Sequence, residues 1–303
     1  MRRRRILLLI NASAGAKRPI PWSRRHPDPA ALADALRGHG LDVQLHVLRE
    51  ADDIAAMVHE AVGAGSDVVV GGGDGTVRAA AGVLSGRSEA TLGILPLGTF
   101  NNIARGIGIP DDLDEALGVI ARGADGAIDV GWAHRDDRAD GRHFLEAAGV
   151  GLDAVAFLAA AVAGRRGLWR AARAAWHGLA RRRTARLVLT LDGVPHRIRA
   201  PAVTVSNVPY HGMGFAIAPD ADPTDGRLTL TVFARMSSAE VIARFIATAA
   251  GIAGREPRAR TLQARRVTVV SGGAALPVHA DGESLGVTPI SFEIRPGALR
   301  VFR

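Results

Sequence analysis

The sequence predicts two domains: an open, mostly parallel α/β sheet over residues 1–128, then a β-rich, antiparallel, sandwich-like domain over 129–303. Three observations predict it. A chain of 303 residues with 48% hydrophobic content is long and apolar enough for two cores. As far as Leu95, short apolar runs alternate with amphipathic stretches, the pattern of a parallel sheet crossed by helices. After Arg122 strand-like segments follow one another across turns such as Asp192-Gly193, which indicates antiparallel structure. The boundary falls near Asp129, and residues 293–303 form a segment able to return to the first domain.

The elements follow in order. Ile6 to Ile10 is a buried strand that leaves through the turn Asn11-Ala-Ser-Ala-Gly15. Asp28-Pro29 opens a helix with an N-cap and a proline in the first turn, and Gly38 and Gly40 end it. Val43, Leu45 and Val47 alternate as a strand; Asp52 then caps a helix whose Ile54, Met57, Val58, Ala61 and Val62 make an apolar stripe. Val68, Val69 and Val70 suit a strand covered on both faces, followed by a helix over Thr76 to Leu84. A strand at Leu92 to Leu95 and a helix at Asp112 to Arg122 complete the first domain. The second offers strands at Ala127–Trp132, His143–Ala148, Arg186–Leu191, Ile198–Ser206 and Leu228–Phe233.

The chemistry concentrates where the valine strand ends, at Gly71-Gly72-Gly73-Asp74-Gly75-Thr76. These glycines are expected to take positive φ and let backbone approach a ligand, with the N–H groups of the following helix turned to an anion. Asp74 is awkward beside a bare phosphate, so the combination points to a metal-bound polyphosphate such as Mg-ATP. No Lys-Ser or Lys-Thr follows, which excludes a P-loop, and the glycine spacing is not that of a dinucleotide fold. A second loop, Leu95-Pro-Leu-Gly-Thr-Phe-Asn-Asn-Ile-Ala-Arg105, leaves the neighbouring strand, where an α/β sheet binds its ligand. Gly149-Val-Gly-Leu-Asp-Ala154 mimics a dinucleotide fingerprint but has no acidic residue before Leu191 to hold a ribose, and is read as a decoy.

Composition narrows the rest. With no cysteine there is no disulfide, thiolate metal site or cysteine nucleophile. The short run Ile6 to Ile10 behind Met1-Arg-Arg-Arg-Arg makes a poor signal peptide, and no run approaches the roughly 18 apolar residues of a membrane span, so a cytoplasmic protein is expected. The net charge of +8 matches the eight arginines at 165, 166, 170, 173, 181, 182, 183 and 186. On a helix Arg166, Arg170 and Arg173 share one face, opposite Trp169 and Trp176. That helix suits either packing of its apolar side on its own domain or an anionic phospholipid surface; the second reading gives peripheral association with the inner face of the membrane, and no nucleic-acid partner is expected.

The two loops resemble the Gly-Gly-Asp-Gly-Thr and Pro-x-Gly-Thr-x-Asn-Asp-x-Ala-Arg signatures of the diacylglycerol kinase catalytic domain, shared by bacterial lipid kinases, sphingosine kinases and, distantly, NAD kinases. Further matches run in family order: Asn11, Asp129 in Ile-Asp-Val-Gly131, Ser206-Asn207, Tyr210-His-Gly-Met-Gly214, Asp225 in the loop from Pro219 to Gly226, and Asp281-Gly-Glu283. The resemblance implies an active site in the interdomain cleft, ATP as co-substrate and Mg²⁺ as cofactor. It gives Asn11, Gly72, Gly73, Gly75, Thr76, Gly98, Thr99, Asn101 and Asn102 to the nucleotide. It gives Asp74 and Asp129 to the catalytic Mg²⁺, Asp225 to a structural one, and Glu283 the role of base, with Asp74 as its substitute. Departures are Ala12 for proline, Ala14 for serine with loss of a hydroxyl, Asn102 for aspartate and His211 for glycine. The activity implied is transfer of the γ-phosphate of ATP to a lipid hydroxyl, diacylglycerol above all, by an enzyme able to form a homodimer. A sphingoid-base kinase, an NAD kinase, which would carry Asn-Glu in the second loop, and a non-catalytic nucleotide or lipid sensor are the alternatives.

Overall fold

The computed structural model describes residues 4–14, 27–135, 140–154, 184–212, 214–234, 236–237, 239–241 and 258–303. They fall into two compact units, one of Met1–Ile128 with Gly297–Arg303 and one of Asp129–Pro296.

Unit 1 alternates strand and helix: β1 (Arg5–Ile10), α1 (Pro29–Gly38), β2 (Asp42–Val47), α2 (Ile54–Gly63), β3 (Asp67–Gly72), α3 (Asp74–Leu84), β4 (Leu92–Pro96), α4 (Asn102–Gly106) and α5 (Leu113–Arg122). The strands lie in the order β2-β1-β3-β4, all parallel. Every residue of β3 is buried, as its uninterrupted valines require of a strand covered on both faces. Asp28 caps α1 by accepting from the Ala30 N–H, with Pro29 in the first turn, as expected. The cap of α2 is Asp53, not Asp52: Asp53 accepts from the Ala56 N–H, while the Asp52 carboxylate meets the Arg49 N–H and His46 Nε2, each at 2.8 Å, and closes the loop before the helix. Helix α3 starts at Asp74, two residues ahead of the expected Thr76, because β3 runs on through Gly72 and Gly73 serves as the cap.

Unit 2 is antiparallel. Its strands are β5 (Asp125–His134, entering from unit 1), β6 (Gly141–Phe144), β7 (Ala147–Gly151), β8 (Ala185–Leu191), β9 (Val194–Ala200), β10 (Ala202–Ser206), β11 (Tyr210–His211), β12 (Phe215–Ala216), β13 (Leu228–Phe233), β14 (Ala259–Ala264), β15 (Arg266–Ser271), β16 (Pro277–Ala280), β17 (Glu283–Val287) and β18 (Ile290–Phe302). One sheet runs β14-β13-β10-β7-β16-β17, and opposite it β18, β15, β8 and β9 pair in turn. Val150, Val203, Leu230 and Val278 of the first pack with Leu189, Val267, Val269 and Phe292 of the second into one core, so this unit is a sandwich. The segments 143–148 and 198–206 each split into two strands: the break at Leu145-Glu146 is where the Asp281 carboxylate collects backbone N–H groups, and the other falls at Pro201, which has no N–H for a ladder. The last part of β18 belongs to unit 1, where Val301 pairs in parallel with Leu92 of β4.

Candidate active site

In unit 1 the conspicuous side chains gather at the carboxyl ends of β1, β3 and β4. Asn11 is anchored where β1 stops, its N–H donating to the Gly71 carbonyl at 2.8 Å. Its Nδ2 donates to Thr76 Oγ1 at 3.1 Å, and its Oδ1 accepts from both the N–H and the hydroxyl of Ser13. Asn11 and Thr76, 65 residues apart, are therefore neighbours. Beside Ala14, which carries no hydroxyl, the Ser13 hydroxyl lies 2.8 Å from Asn11 Oδ1.

The glycines of this loop are small for a reason other than the one expected. Gly71, Gly72, Gly73 and Gly75 all lie outside the positive-φ region. At Gly71, Gly72 and Gly98 what forbids a side chain is proximity, whereas a Cβ on Gly75 would meet nothing within 4 Å. A Cβ on Gly98 would lie 2.4 Å from the Gly73 Cα and 2.6 Å from Asn101 Oδ1, and a Cβ on Gly72 would lie 2.9 Å from the Thr76 Cβ. The two loops thus touch backbone to backbone at Gly73 and Gly98.

Asn101 shapes that contact. It is buried and holds φ 50°, ψ 43°, a left-handed conformation that asparagine tolerates better than most residues. Its Oδ1 accepts from the Gly98 N–H at 2.8 Å and its Nδ2 donates to the Pro96 carbonyl at 3.1 Å, so its amide braces its own loop. Asn102, also buried, begins α4, while Thr99 is partly exposed and Phe100 beside it is exposed. Asp74 joins the loops: its Oδ1 accepts from the Ile103 N–H at 3.0 Å. Burial lifts the Asp74 carboxyl above the usual range, against the backbone N–H groups of Ile103 and Asn102 and the charge of Arg78, which lower it.

In unit 2 the structure brings Asp129 and Asp225 together. Asp129 is buried; its N–H donates to the Pro223 carbonyl and its Oδ2 accepts from the Gly226 N–H, both at 2.7 Å. Asp225 lies at the surface of the same loop, its carboxylate accepting from the Arg227 N–H at 2.8 Å and from Gln263 Nε2 at 3.3 Å. Its carboxyl is shielded enough to be raised, first by desolvation and then by the charges of Asp222 and Asp129. Asn207 is buried beneath, its Nδ2 donating to the carbonyls of Asp129 and Leu145.

Glu283 opens β17 directly after the turn Asp281-Gly282, whose φ values of 45° and 79° are those of a two-residue type I′ hairpin. Asp281 is structural: its carboxylate accepts from the N–H groups of Leu145, Glu146 and Ala147 at 2.8, 2.9 and 3.0 Å. Glu283 is half exposed and forms an ion pair with Arg142. Sequence reading missed that pair, and it also missed the buried trio Asp153, His211 and His279. Burial pushes His211 down to about 4. Arg166, Trp169, Arg170, Arg173 and Trp176 lie outside the described residues. Among the described residues no group of three or more His, Cys, Asp and Glu is arranged to hold a metal ion, and no helix is long and apolar enough to cross a membrane.

Residues 5–133 match the family model for the diacylglycerol kinase catalytic domain, and residues 146–303 that for the YegS C-terminal NAD kinase beta sandwich-like domain. The chain belongs to the diacylglycerol kinase and YegS-like lipid kinase family. It is 31% identical over 276 residues to a diacylglycerol kinase of Mycobacterium tuberculosis, covering 88% of this chain and 87% of that one. It is 31% identical over 284 residues to a YegS-like lipid kinase of Pseudomonas aeruginosa, covering 90% and 88%. The crystal structure of a diacylglycerol kinase from Bacillus anthracis shares the fold, with a TM-score of 0.71 and 22% identity over 98% of this chain and 96% of that one.

Proposed function

We propose that this lipid kinase transfers the γ-phosphate of ATP to a lipid hydroxyl, with diacylglycerol as the first candidate because relatives covering most of the chain carry that name. One observation carries the nucleotide assignment. At the carboxyl ends of three parallel strands, two loops press together through Gly73 and Gly98, bordered by Asn11, Thr76 and the half-buried Asp74. Such a cradle leaves backbone within reach of phosphate oxygens, and phosphoryl transfer asks mainly for positioning and neutralised charge.

Mg²⁺ fits this donor set. Asp74 is a partly desolvated carboxylate, and with no group of three or more His, Cys, Asp and Glu arranged to hold a metal ion among the described residues, a cation there would take its remaining ligands from phosphate oxygens and water, as Mg²⁺ does. Asp225 with its loop carbonyls supplies hard oxygen donors for a second, structural ion. Bound Mg²⁺ would neutralise charge on the transferring phosphoryl group. In this reading Glu283 takes the proton from the acceptor hydroxyl, and Arg142 must release it first, since a carboxylate paired with arginine is a weak base.

The arginines at 166, 170 and 173, with Trp169 and Trp176, would carry the enzyme to an anionic bilayer, where its substrate resides. The test is transfer of labelled phosphate from ATP to a panel of lipids, with Mg²⁺ and with chelator. Phosphatidic acid from diacylglycerol, abolished by chelator, is the expected result; transfer to NAD, or to no acceptor, overturns the reading. In the same assay Arg166→Gln with Arg170→Gln and Arg173→Gln should lower turnover on anionic vesicles and spare a short-chain soluble diacylglycerol.

A further inference from the structure

We propose that His279 and Asp153 are positioning residues for Glu283, acting through the backbone N–H of Gly282. The inference rests on the reading of Glu283 as the base. It starts from two side chains that the nucleotide chemistry leaves unused. Asp153 and His279 are both 0% exposed, and His279 Nε2 lies 3.1 Å from Asp153 Oδ2. An ionisable pair removed from water is expensive to keep, and an apolar pair of similar volume would commonly serve stability as well.

The geometry shows what the pair holds. His279 Nδ1 lies 3.2 Å from the Gly282 backbone nitrogen, which can only donate. Nδ1 is therefore the acceptor, which leaves Nε2 to carry the ring N–H that faces the Asp153 carboxylate. Asp153 thus fixes the tautomer, and the tautomer fixes the Gly282 peptide. Gly282 precedes Glu283, so the pair sets the last peptide plane before the proposed base. The other side of the same corner is fastened by Asp281 to residues 145–147.

Three features of the chain accompany this arrangement. The β16–β17 register shifts between Val278 and His279, with Leu285 as the extra residue, so the bulge lies on the strand that Glu283 opens. Gly149, opposite His279 on β7, leaves room for it: a Cβ there would lie 1.7 Å from Asp153 Oδ2 and 2.5 Å from His279 Nε2. Gly151, at φ +80° with its would-be Cβ 2.6 Å from the Pro201 carbonyl oxygen, turns the chain so that Asp153 comes back over β7. The segment that resembles a dinucleotide fingerprint, from Gly149 to Asp153, is thus the footing of an imidazole.

Two conservative variants divide the ring's duties. His279→Asn keeps an oxygen near the place of Nδ1 and can accept from Gly282, but cannot reach Asp153. His279→Gln keeps a donor for Asp153 and offers Gly282 nothing. The proposal expects His279→Gln to lower kcat about tenfold or more, with KM for ATP unchanged, because small displacements of a reacting group are costly. His279→Asn should stay within about threefold of wild type even if it melts earlier. A role in packing alone predicts the reverse order, and that result overturns the proposal. The Gly282 amide gives a readout independent of turnover: hydrogen exchange should be slow in wild type and His279→Asn and fast in His279→Gln, and equal protection in all three also overturns it. Glu283→Gln run alongside separates the two readings. If that variant keeps wild-type turnover, Glu283 is not the base, and the positioning role stands or falls on the Gly282 amide alone.

Discussion

Two aspartate-glycine corners, Asp74-Gly75 in unit 1 and Asp281-Gly282 in unit 2, read alike in the sequence and are built on different physics. At Asp281-Gly282 both residues occupy the left-handed region, and the carboxylate is spent on three backbone N–H groups of one neighbouring segment. At Asp74-Gly75 neither residue has positive φ, the corner is the first turn of a helix, and the glycines before it are crowded by neighbours: Gly71 by Ile10 and Leu97, Gly72 by Thr76 and Gly73 by Gly98. Folding raises the Asp74 carboxyl. Both carboxylates accept from backbone N–H groups, but at Asp74 desolvation outweighs those bonds and the charge of Arg78, so further positive charge beside it would be favourable. In unit 2 the reactive candidate is the residue after the corner, Glu283, rather than the aspartate in it.

The comparison breaks first at Asp74. Asp74→Asn keeps an acceptor for the Ile103 N–H but loses the charge, and kcat should fall by about 10³ or more, the scale of charge-neutralising groups in phosphoryl transfer. Undiminished turnover would remove the metal argument. The same variant should melt no earlier than wild type at pH 7. With the folded value raised, the folded chain holds this proton more tightly; the resulting stability is present below the unfolded value of about 3.9 and is lost as pH rises through the folded one, so at pH 7 the charged aspartate contributes a penalty that asparagine lacks. A clear drop in Tm would make Asp74 a second fastening.

Glu283→Gln comes next, with kcat down about 10²-fold and ATP affinity little changed, as for a lost general base. Lost ATP binding with kcat intact would return the role to Asp74. Asp281→Ala should act on stability: three backbone donors lose their acceptor, and chemical denaturation should register about 2–3 kcal/mol. The glycines give the finest test. Gly98→Ala meets backbone at 2.4 Å and should destabilise by about 1–3 kcal/mol while weakening ATP binding, whereas Gly282→Ala meets nothing within 4 Å and should lose about 1 kcal/mol through φ alone. Gly282→Asn, tolerated at positive φ, should recover much of that loss, and no asparagine at 98 should.

What the sequence made legible follows the same division. Local patterns translated directly: the valines of β3, the Asp28-Pro29 start of α1 and the Asp192-Gly193 hairpin turn all stand where spacing puts them. The glycine loop was legible as a place but not as a conformation, since composition cannot distinguish a glycine needed for φ from one needed for clearance. Asp52 and Asp53 are equally good caps on paper, and the choice was made by His46, which a one-dimensional reading does not bring near. The His279–Asp153 pair lies 126 residues apart and was hidden behind a motif with a familiar look; the only local trace was a glycine-rich strand followed by a buried acid. Asp129 and Asp225, 96 positions apart in the numbering, were joined beforehand only through the resemblance.

The closing strand bears on how the protein is made. Residues 297–303 complete unit 1, with Val301 beside Leu92 and Phe302 stacked under the Arg4 guanidinium, yet they are translated after all of unit 2. The nascent first unit must therefore wait on the ribosome with the edge of β4 bare, a template for unwanted pairing. Expression of residues 1–128 alone should give an aggregating product that a separately supplied or genetically fused 290–303 segment rescues, whereas unit 2 has all its own strands in hand before residues 297–303 emerge. Changes that remove residues 297–303 would then strike unit 1, the part synthesised first.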